Sequence, residues 1–149
     1  KNEIIEERNC TSISNINNHL SNIDIVSINC MKTNETKNMF SYNEFKKMKK
    51  TSMIINCARG GIIDEKALYQ ALINKEIASA GLDVFDEEPY PADGKLLKLQ
   101  NIILSPHIAG VTKESISRMG VQTVENALNV IDNNYDEEVI VNYKDINIK

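Results

Sequence analysis

Four short apolar runs, the first three separated by segments of helical period and the last two by a loop with two prolines, "DEEPYPADGKLLKL", constrain the fold more than any other feature of this chain. "IDIVSIN" (23–29), "SMIIN" (52–56), "IASAGLDVF" (77–85) and "NIILSPH" (101–107) are rich in β-branched or small residues and read as strands. The centre of the second, Met53-Ile54-Ile55, is apolar at successive positions, as a strand covered on both faces should be. Between the first two runs, Tyr42, Phe45 and Met48 recur at helical spacing behind Ser41, a suitable N-cap. Between the second and third, "DEKALYQALINK" (64–75) puts Ala67, Leu68, Ala71 and Leu72 on one stripe. Asp64 can cap that helix, and Glu65 suits its positive end. The fourth run leads into the longest helical pattern, 112–133, with Thr112 as N-cap and apolar Ile116, Met119, Val121, Val124, Leu128 and Ile131. Residues 11–20 read as a weak short helix, and the tail 134–149 is acidic and then briefly apolar. Strand–helix–strand repetition of this kind predicts an α/β parallel sheet with helices on both faces.

Charge and cysteine usage exclude several classes. The net charge of −4 gives no electrostatic footprint for nucleic acid or an anionic membrane. The tightest basic cluster, Lys46, Lys47, Lys49 and Lys50, reads as a solvated helix end. Cys10, Cys30 and Cys57 are odd in number and lack CxxC spacing. That argues against a disulfide framework or a metal site and suits the reducing cytoplasm. No stretch has the length of a membrane span or the pattern of a signal peptide. The chain opens on Lys1 with a polar lead-in, KNEIIEERN, and so reads as a fragment or a chain trimmed at its front.

Parallel strands bring their carboxyl ends to one edge of a sheet, where ligands of such sheets bind. Arg59 follows the second predicted strand, Asp83 lies near the end of the third, Glu88 follows in the next loop, and His107 ends the fourth. Desolvating an unpaired cation at the end of a buried strand costs several kcal/mol. Arg59 is therefore expected to await an anion from outside the chain. The adjacent Gly60-Gly61 indicates close backbone approach or positive φ. Each residue also has a plainer reading. Arg59 could be a loop arginine, His107 a structural histidine, Glu88 a solvated loop carboxylate, and Asp83 a turn residue. Cys57 reads as a small buried hydrophobe. Ser105 and His107 do not suggest a serine hydrolase, because the chain has no GxSxG elbow.

Taken together, "NCARGGIIDEKALYQAL", "AGLDVFDEEP" and "NIILSPHIAGVTKES" resemble the successive signatures of the D-isomer-specific 2-hydroxyacid dehydrogenases. "LSNIDIVSINCMKTNETKNMF" is similar to that family's segment between its adenine-side and nicotinamide-side strands. The resemblance covers roughly residues 11–142 and is specific, because three long segments occur in order and at the right spacing. It implies part of a doubly wound, Rossmann-type parallel sheet with flanking helices, lacking the first βαβ unit. It also implies catalytic roles for Arg59, Glu88 and His107. The arginine would hold a substrate carboxylate through its planar fork. The histidine would move the hydroxyl proton, and the glutamate would fix its tautomer. By the same resemblance Cys30, Cys57, Ala58, Asp83, His107, Ala109 and Gly110 would line the cofactor, with Asp83 facing the nicotinamide carboxamide. NAD is the implied cofactor, with NADP still open. The implied partners are a small 2-hydroxy or 2-oxo acid and a second copy of the chain, residues 30–50 contributing to a homodimer or higher oligomer.

Departures from the family pattern shape the remaining expectations. The six glycines, at 60, 61, 81, 94, 110 and 120, form no GxGxxG turn. Met31 stands where the family has proline, and Lys50-Thr51 where it has Pro-Gly. In the doubly wound order 3-2-1-4-5-6, residues 23–29 would be the third strand, cut off from residues 52–56 by strands this chain lacks. The chain alone is then expected to bind NAD weakly or not at all. Residues 1–139 read as the carboxyl-side part of an NAD-binding domain, and residues 140–149 as a return toward an absent substrate domain. The wording lies nearest members that act on 3-phosphoglycerate in serine biosynthesis. Glyoxylate or hydroxypyruvate reduction, an NAD-sensing corepressor and a truncated interaction module are the alternatives.

Overall fold

The computed structural model describes residues 10–134 and 136–145, which fall into two compact units, one ending at Ala109 and the other beginning at Gly110. The polar lead-in, residues 1–9, and the last residues of the tail, 146–149, lie outside the described residues.

The first unit is built on a four-stranded parallel sheet: β1 (Ile25–Ile28), β2 (Met53–Asn56), β3 (Ser79–Leu82) and β4 (Ile102–Leu104), in the order β1-β2-β3-β4. Helix α1 (Tyr42–Lys47) connects β1 to β2, and α2 (Glu65–Ile73) connects β2 to β3. β1 pairs directly with β2, Ile25 beside Met53 and Ile28 beside Asn56. The expected separation of residues 23–29 from residues 52–56 is therefore wrong. A parallel pair needs a crossover of a dozen residues or more, and residues 29–52 supply it through α1.

Both helices start on side-chain caps that the sequence had marked. Asp64 accepts the N–H groups of Lys66 at 3.0 Å and Ala67 at 3.1 Å. The Ser41 N–H donates to the Glu44 carboxylate at 3.1 Å, and the Ser41 hydroxyl to Asp64 at 3.1 Å, which joins the two helix starts. Phe45 of α1 and Ala67, Leu68, Ala71 and Leu72 of α2 pack with Val26, Ile28, Ile54, Ala80 and Leu82 into one buried cluster. Burying a leucine or phenylalanine there contributes about 1.5–3 kcal/mol each. On the opposite face Ile25, Met53, Ile55 and Ile103 are 39–78% exposed. β2 thus alternates buried with exposed positions, and the helices of this unit cover one face of the sheet where two were expected.

Residues 11–20 form no α-helix; two 3-10 turns, Ile16–Asn18 and Leu20–Asn22, stand there instead. The Asn15 side chain accepts the Asn17 N–H at 2.9 Å, the kind of local bond by which asparagine competes with helix.

The second unit carries α3 (Lys113–Ile131), capped by Thr112, whose hydroxyl accepts the Ser115 N–H at 3.1 Å. The expected apolar stripe is present, and Ile116, Met119, Val124 and Leu128 on it are exposed. Two 3-10 turns, Glu137–Val139 and Tyr143–Asp145, follow.

Candidate active site

The turn after β2 is closed by Asn56, a buried residue whose amide donates to the Arg59 carbonyl at 2.9 Å and accepts the Ala58 N–H at 3.0 Å. The glycine pair divides the two tasks that the sequence left open between its members. A Cβ on Gly60 would stand 1.8 Å from the Phe85 carbonyl oxygen, so that position needs close backbone approach. Gly61 has φ +76°, which favours glycine. Arg59 itself is exposed, and its guanidinium donates to the Ala58 carbonyl at 2.6 Å. The premise of a desolvated cation is thereby corrected: the strand end opens to water, and the guanidinium stays hydrated. Among the described residues no ion pair engages it.

Asp83, one residue past β3, is buried at 2% exposure. Its Oδ1 accepts the Ser105 hydroxyl at 2.6 Å and the Ile108 N–H at 2.9 Å, and its Oδ2 accepts the Ala109 N–H at 2.8 Å. Burial alone would push this carboxyl up. The bonds from Ser105, Ala109 and Ile108, helped by the nearby His107, outweigh burial and hold it below the usual aspartate range. Between the fastened residues, His107 sits at φ +55°, in the left-handed region.

The imidazole Nδ1 of His107 lies 2.8 Å from Oε2 of Glu88. The other carboxylate oxygen of Glu88 accepts the Phe85 N–H at 2.9 Å. The His107 hydrogen bond first, and then the Phe85 N–H, keep Glu88 below the ordinary glutamate value. Both side chains remain accessible, His107 at 49% and Glu88 at 36%.

Two clefts meet at Glu88. One, of about 690 Å³, is lined by Cys30, Met31, Lys32, Cys57, Ala58 and Arg59 together with Glu88. The other, of about 320 Å³, is largely apolar and runs from Glu88 and His107 along Tyr90, Leu97 and Leu104. Arg59, Glu88 and His107 are thus joined through Glu88, which contacts the histidine and shares a cleft with the arginine. Of the residues expected to line a cofactor, Cys30, Cys57 and Ala58 border the larger cleft. Asp83 is buried, accepts the N–H of the exposed Ala109, and borders a further cleft with Cys57 and Ser105. Gly110 opens the second unit, where its carbonyl accepts the Ser115 hydroxyl at 2.7 Å. Cys57 is exposed, contrary to its reading as a buried hydrophobe, because it lies past the last residue of β2. The small side chains of Cys30, Cys57 and Ala58 leave the larger cleft open at the strand ends. Among the described residues no three histidine, cysteine or acidic side chains gather to hold a metal ion, and no helix is long and apolar enough to cross a membrane. Sequence reasoning missed Asn56 and did not give Ser105 its structural role. A buried polar residue at a strand's carboxyl end was the available signal for the first.

Comparison with known proteins bears on these residues. Residues 1–109 match the family model described as D-isomer specific 2-hydroxyacid dehydrogenase, NAD binding domain. The chain is 44% identical over 109 residues to a glyoxylate reductase of Korarchaeum cryptofilum, covering 73% of this chain and 33% of that protein. It is 39% identical over 111 residues to a D-3-phosphoglycerate dehydrogenase of Archaeoglobus fulgidus, covering 74% of this chain and 21% of that one. The crystal structure of D-lactate dehydrogenase from Aquifex aeolicus, complexed with NAD and lactic acid, superposes with a TM-score of 0.80 at 30% identity. That superposition covers 90% of this chain and 44% of the crystallised chain. The chain therefore spans about a third or less of the length of these two curated relatives.

Proposed function

Because this chain belongs to the D-isomer specific 2-hydroxyacid dehydrogenases, by their NAD-binding domain, we propose that it carries the catalytic side of an NAD-dependent oxidoreductase acting on a D-2-hydroxy acid and its 2-oxo partner. The observation that carries the reading is the His107–Glu88 contact at 2.8 Å beside a cleft that holds Arg59. When bound, the nicotinamide supplies or accepts the hydride. The residues of the chain do the rest. The Arg59 fork takes the substrate carboxylate bidentately and so orients the adjacent carbonyl. His107, with Nδ1–H donated to Glu88, offers Nε2 to the reacting oxygen. In the reducing direction Nε2–H gives its proton to the forming alkoxide; in the oxidising direction Nε2 takes the hydroxyl proton. Glu88 holds one tautomer and stabilises the imidazolium that oxidation creates. Cys30, Cys57 and Ala58 are side chains that would line the cofactor, with Asp83 and Ala109 toward its nicotinamide end.

Lys32 supports 3-phosphoglycerate as the substrate. It lines the same cleft as Arg59, and its exposed ion pair with Asp86 at 3.9 Å is weak enough to yield to an acid that carries a phosphoryl group as well as a carboxylate. The glyoxylate reductase relatives support glyoxylate or hydroxypyruvate as the second reading. Steady-state assays on the full-length protein decide between them: NAD reduction with 3-phosphoglycerate, against NADH oxidation with glyoxylate, hydroxypyruvate and pyruvate. A protein that binds NADH but turns over none of the four sinks the enzymatic reading and favours a cofactor-sensing role.

A further inference from the structure

We propose that Ser105 is a positioning residue for His107, its hydroxyl locking the turn that carries the imidazole onto the buried carboxylate of Asp83. The inference rests on the dehydrogenase reading above and deepens it.

A left-handed backbone at a non-glycine residue persists only where the surroundings over-determine it. At His107, φ +55°, those surroundings can be named. On the amino side of the histidine, the Ser105 hydroxyl reaches Asp83 Oδ1 at 2.6 Å. On the carboxyl side, the N–H groups of Ile108 and Ala109 reach the same carboxylate at 2.9 and 2.8 Å. The His107 N–H closes the turn on the Ser105 carbonyl at 3.1 Å. The carboxylate in turn is rooted in the sheet: the Asp83 N–H donates to the Asn56 carbonyl at 3.0 Å, and the Ser105 N–H to the Leu82 carbonyl at 2.9 Å.

One unbroken path therefore runs from strand backbone to carboxylate, from carboxylate to turn, and from turn to the imidazole that meets Glu88. Ser105 supplies the only side-chain donor of the three that grip Asp83. Removing it leaves the amino side of the turn held by main-chain bonds alone, from the Ser105 N–H to Leu82 and from the His107 N–H to the Ser105 carbonyl. The ring then samples rotations in which Nδ1 no longer meets Glu88, and the productive geometry is populated for less of the time.

The test compares Ser105→Ala and Ser105→Thr with wild type in the full-length protein. Ser105→Ala is expected to lower kcat for 2-oxo acid reduction about 10- to 100-fold, with KM for acid and NADH within about twofold of wild type. It is also expected to broaden or abolish the downfield proton resonance of the His107 Nδ1–H in NMR spectra. Ser105→Thr, which keeps the hydroxyl, is expected to restore both. Wild-type kcat together with an unchanged resonance in Ser105→Ala overturns the proposal. A measurement that needs no substitution stands beside it: the amide hydrogens of Ile108 and Ala109 are expected to exchange slowly in the wild-type protein. Exchange at the rate of unprotected amides overturns the proposal even if Ser105→Ala fails to fold. If no 2-oxo acid is reduced by any form, the dehydrogenase reading fails, and the resonance and exchange still decide whether the clamp exists.

Discussion

Replacing Gly60 by alanine tests whether the two halves of the site form one rigid body. The added Cβ would meet the Phe85 carbonyl oxygen at 1.8 Å and its carbon at 2.2 Å. An ordinary contact is about 3.5 Å, so one of the two backbones must retreat by roughly 1.5 Å. Neither can do so alone. Gly60 follows Arg59 in a turn tied by Asn56, and the Phe85 N–H holds Glu88 at 2.9 Å. The clash therefore displaces the guanidinium relative to the carboxylate that orients His107. Overpacking of this kind costs about 1–3 kcal/mol of stability, read as a shift of the urea midpoint by circular dichroism. A displacement of about 1 Å at a reacting centre lowers kcat/KM about 100-fold. Gly120→Ala is the control. Its Cβ meets nothing within 4 Å, and inside α3 it should stabilise by about 0.5–1 kcal/mol. A Gly60→Ala protein with the wild-type midpoint and wild-type kcat/KM would refute the reasoning, because the backbones would then move apart at no cost.

Further outcomes follow from the same geometry. Arg59→Ala is expected to raise KM for the acid about 10- to 100-fold through loss of a charged hydrogen-bonded pair. His107→Asn should instead lower kcat about 10²- to 10⁴-fold, and steady-state kinetics separate the two. Asp64→Ala removes the cap of α2 and is expected to cost about 1 kcal/mol in equilibrium denaturation. Asp83, held below its ordinary value, contributes stability that is present above the unfolded aspartate range and lost as pH falls through the folded value. The stability gap between wild type and Asp83→Asn should accordingly be widest near neutral pH and narrow below about pH 4; a gap that does not change with pH would count against the hydrogen-bonded carboxylate.

Local signals were read well in the sequence, and relations between distant segments were read poorly. Asp64, Ser41 and Thr112 cap their helices because capping is decided within three or four residues. The four strands lie where β-branched and small residues cluster. Their order did not follow from composition, since no strand's residues record which neighbour they pair with. The doubly wound order implied by the resemblance set β1 apart from β2, yet the two pair side by side. An apolar run places Arg59 at the end of a buried strand and Cys57 reads as a small buried hydrophobe, yet both lie past the last ladder residue and are exposed. The role of Ser105 stayed hidden for another reason. It depends on a carboxylate 22 residues away, and a serine before proline is unremarkable until that partner is in view.

In the ladder between β3 and β4, Leu82 stands beside Leu104, and the residues that follow them are Asp83 and Ser105. The imidazole inherits its location from that alignment of neighbouring strands, and the connection joining them adds only the Glu88 contact that sets its orientation. Insertions at the exposed Ala92-Asp93, ahead of buried Leu96 and of Leu97 in the apolar cleft, should leave proton transfer intact. A slip of a single residue between the two strands reverses which way every side chain faces, and would unseat the histidine without touching any atom of it.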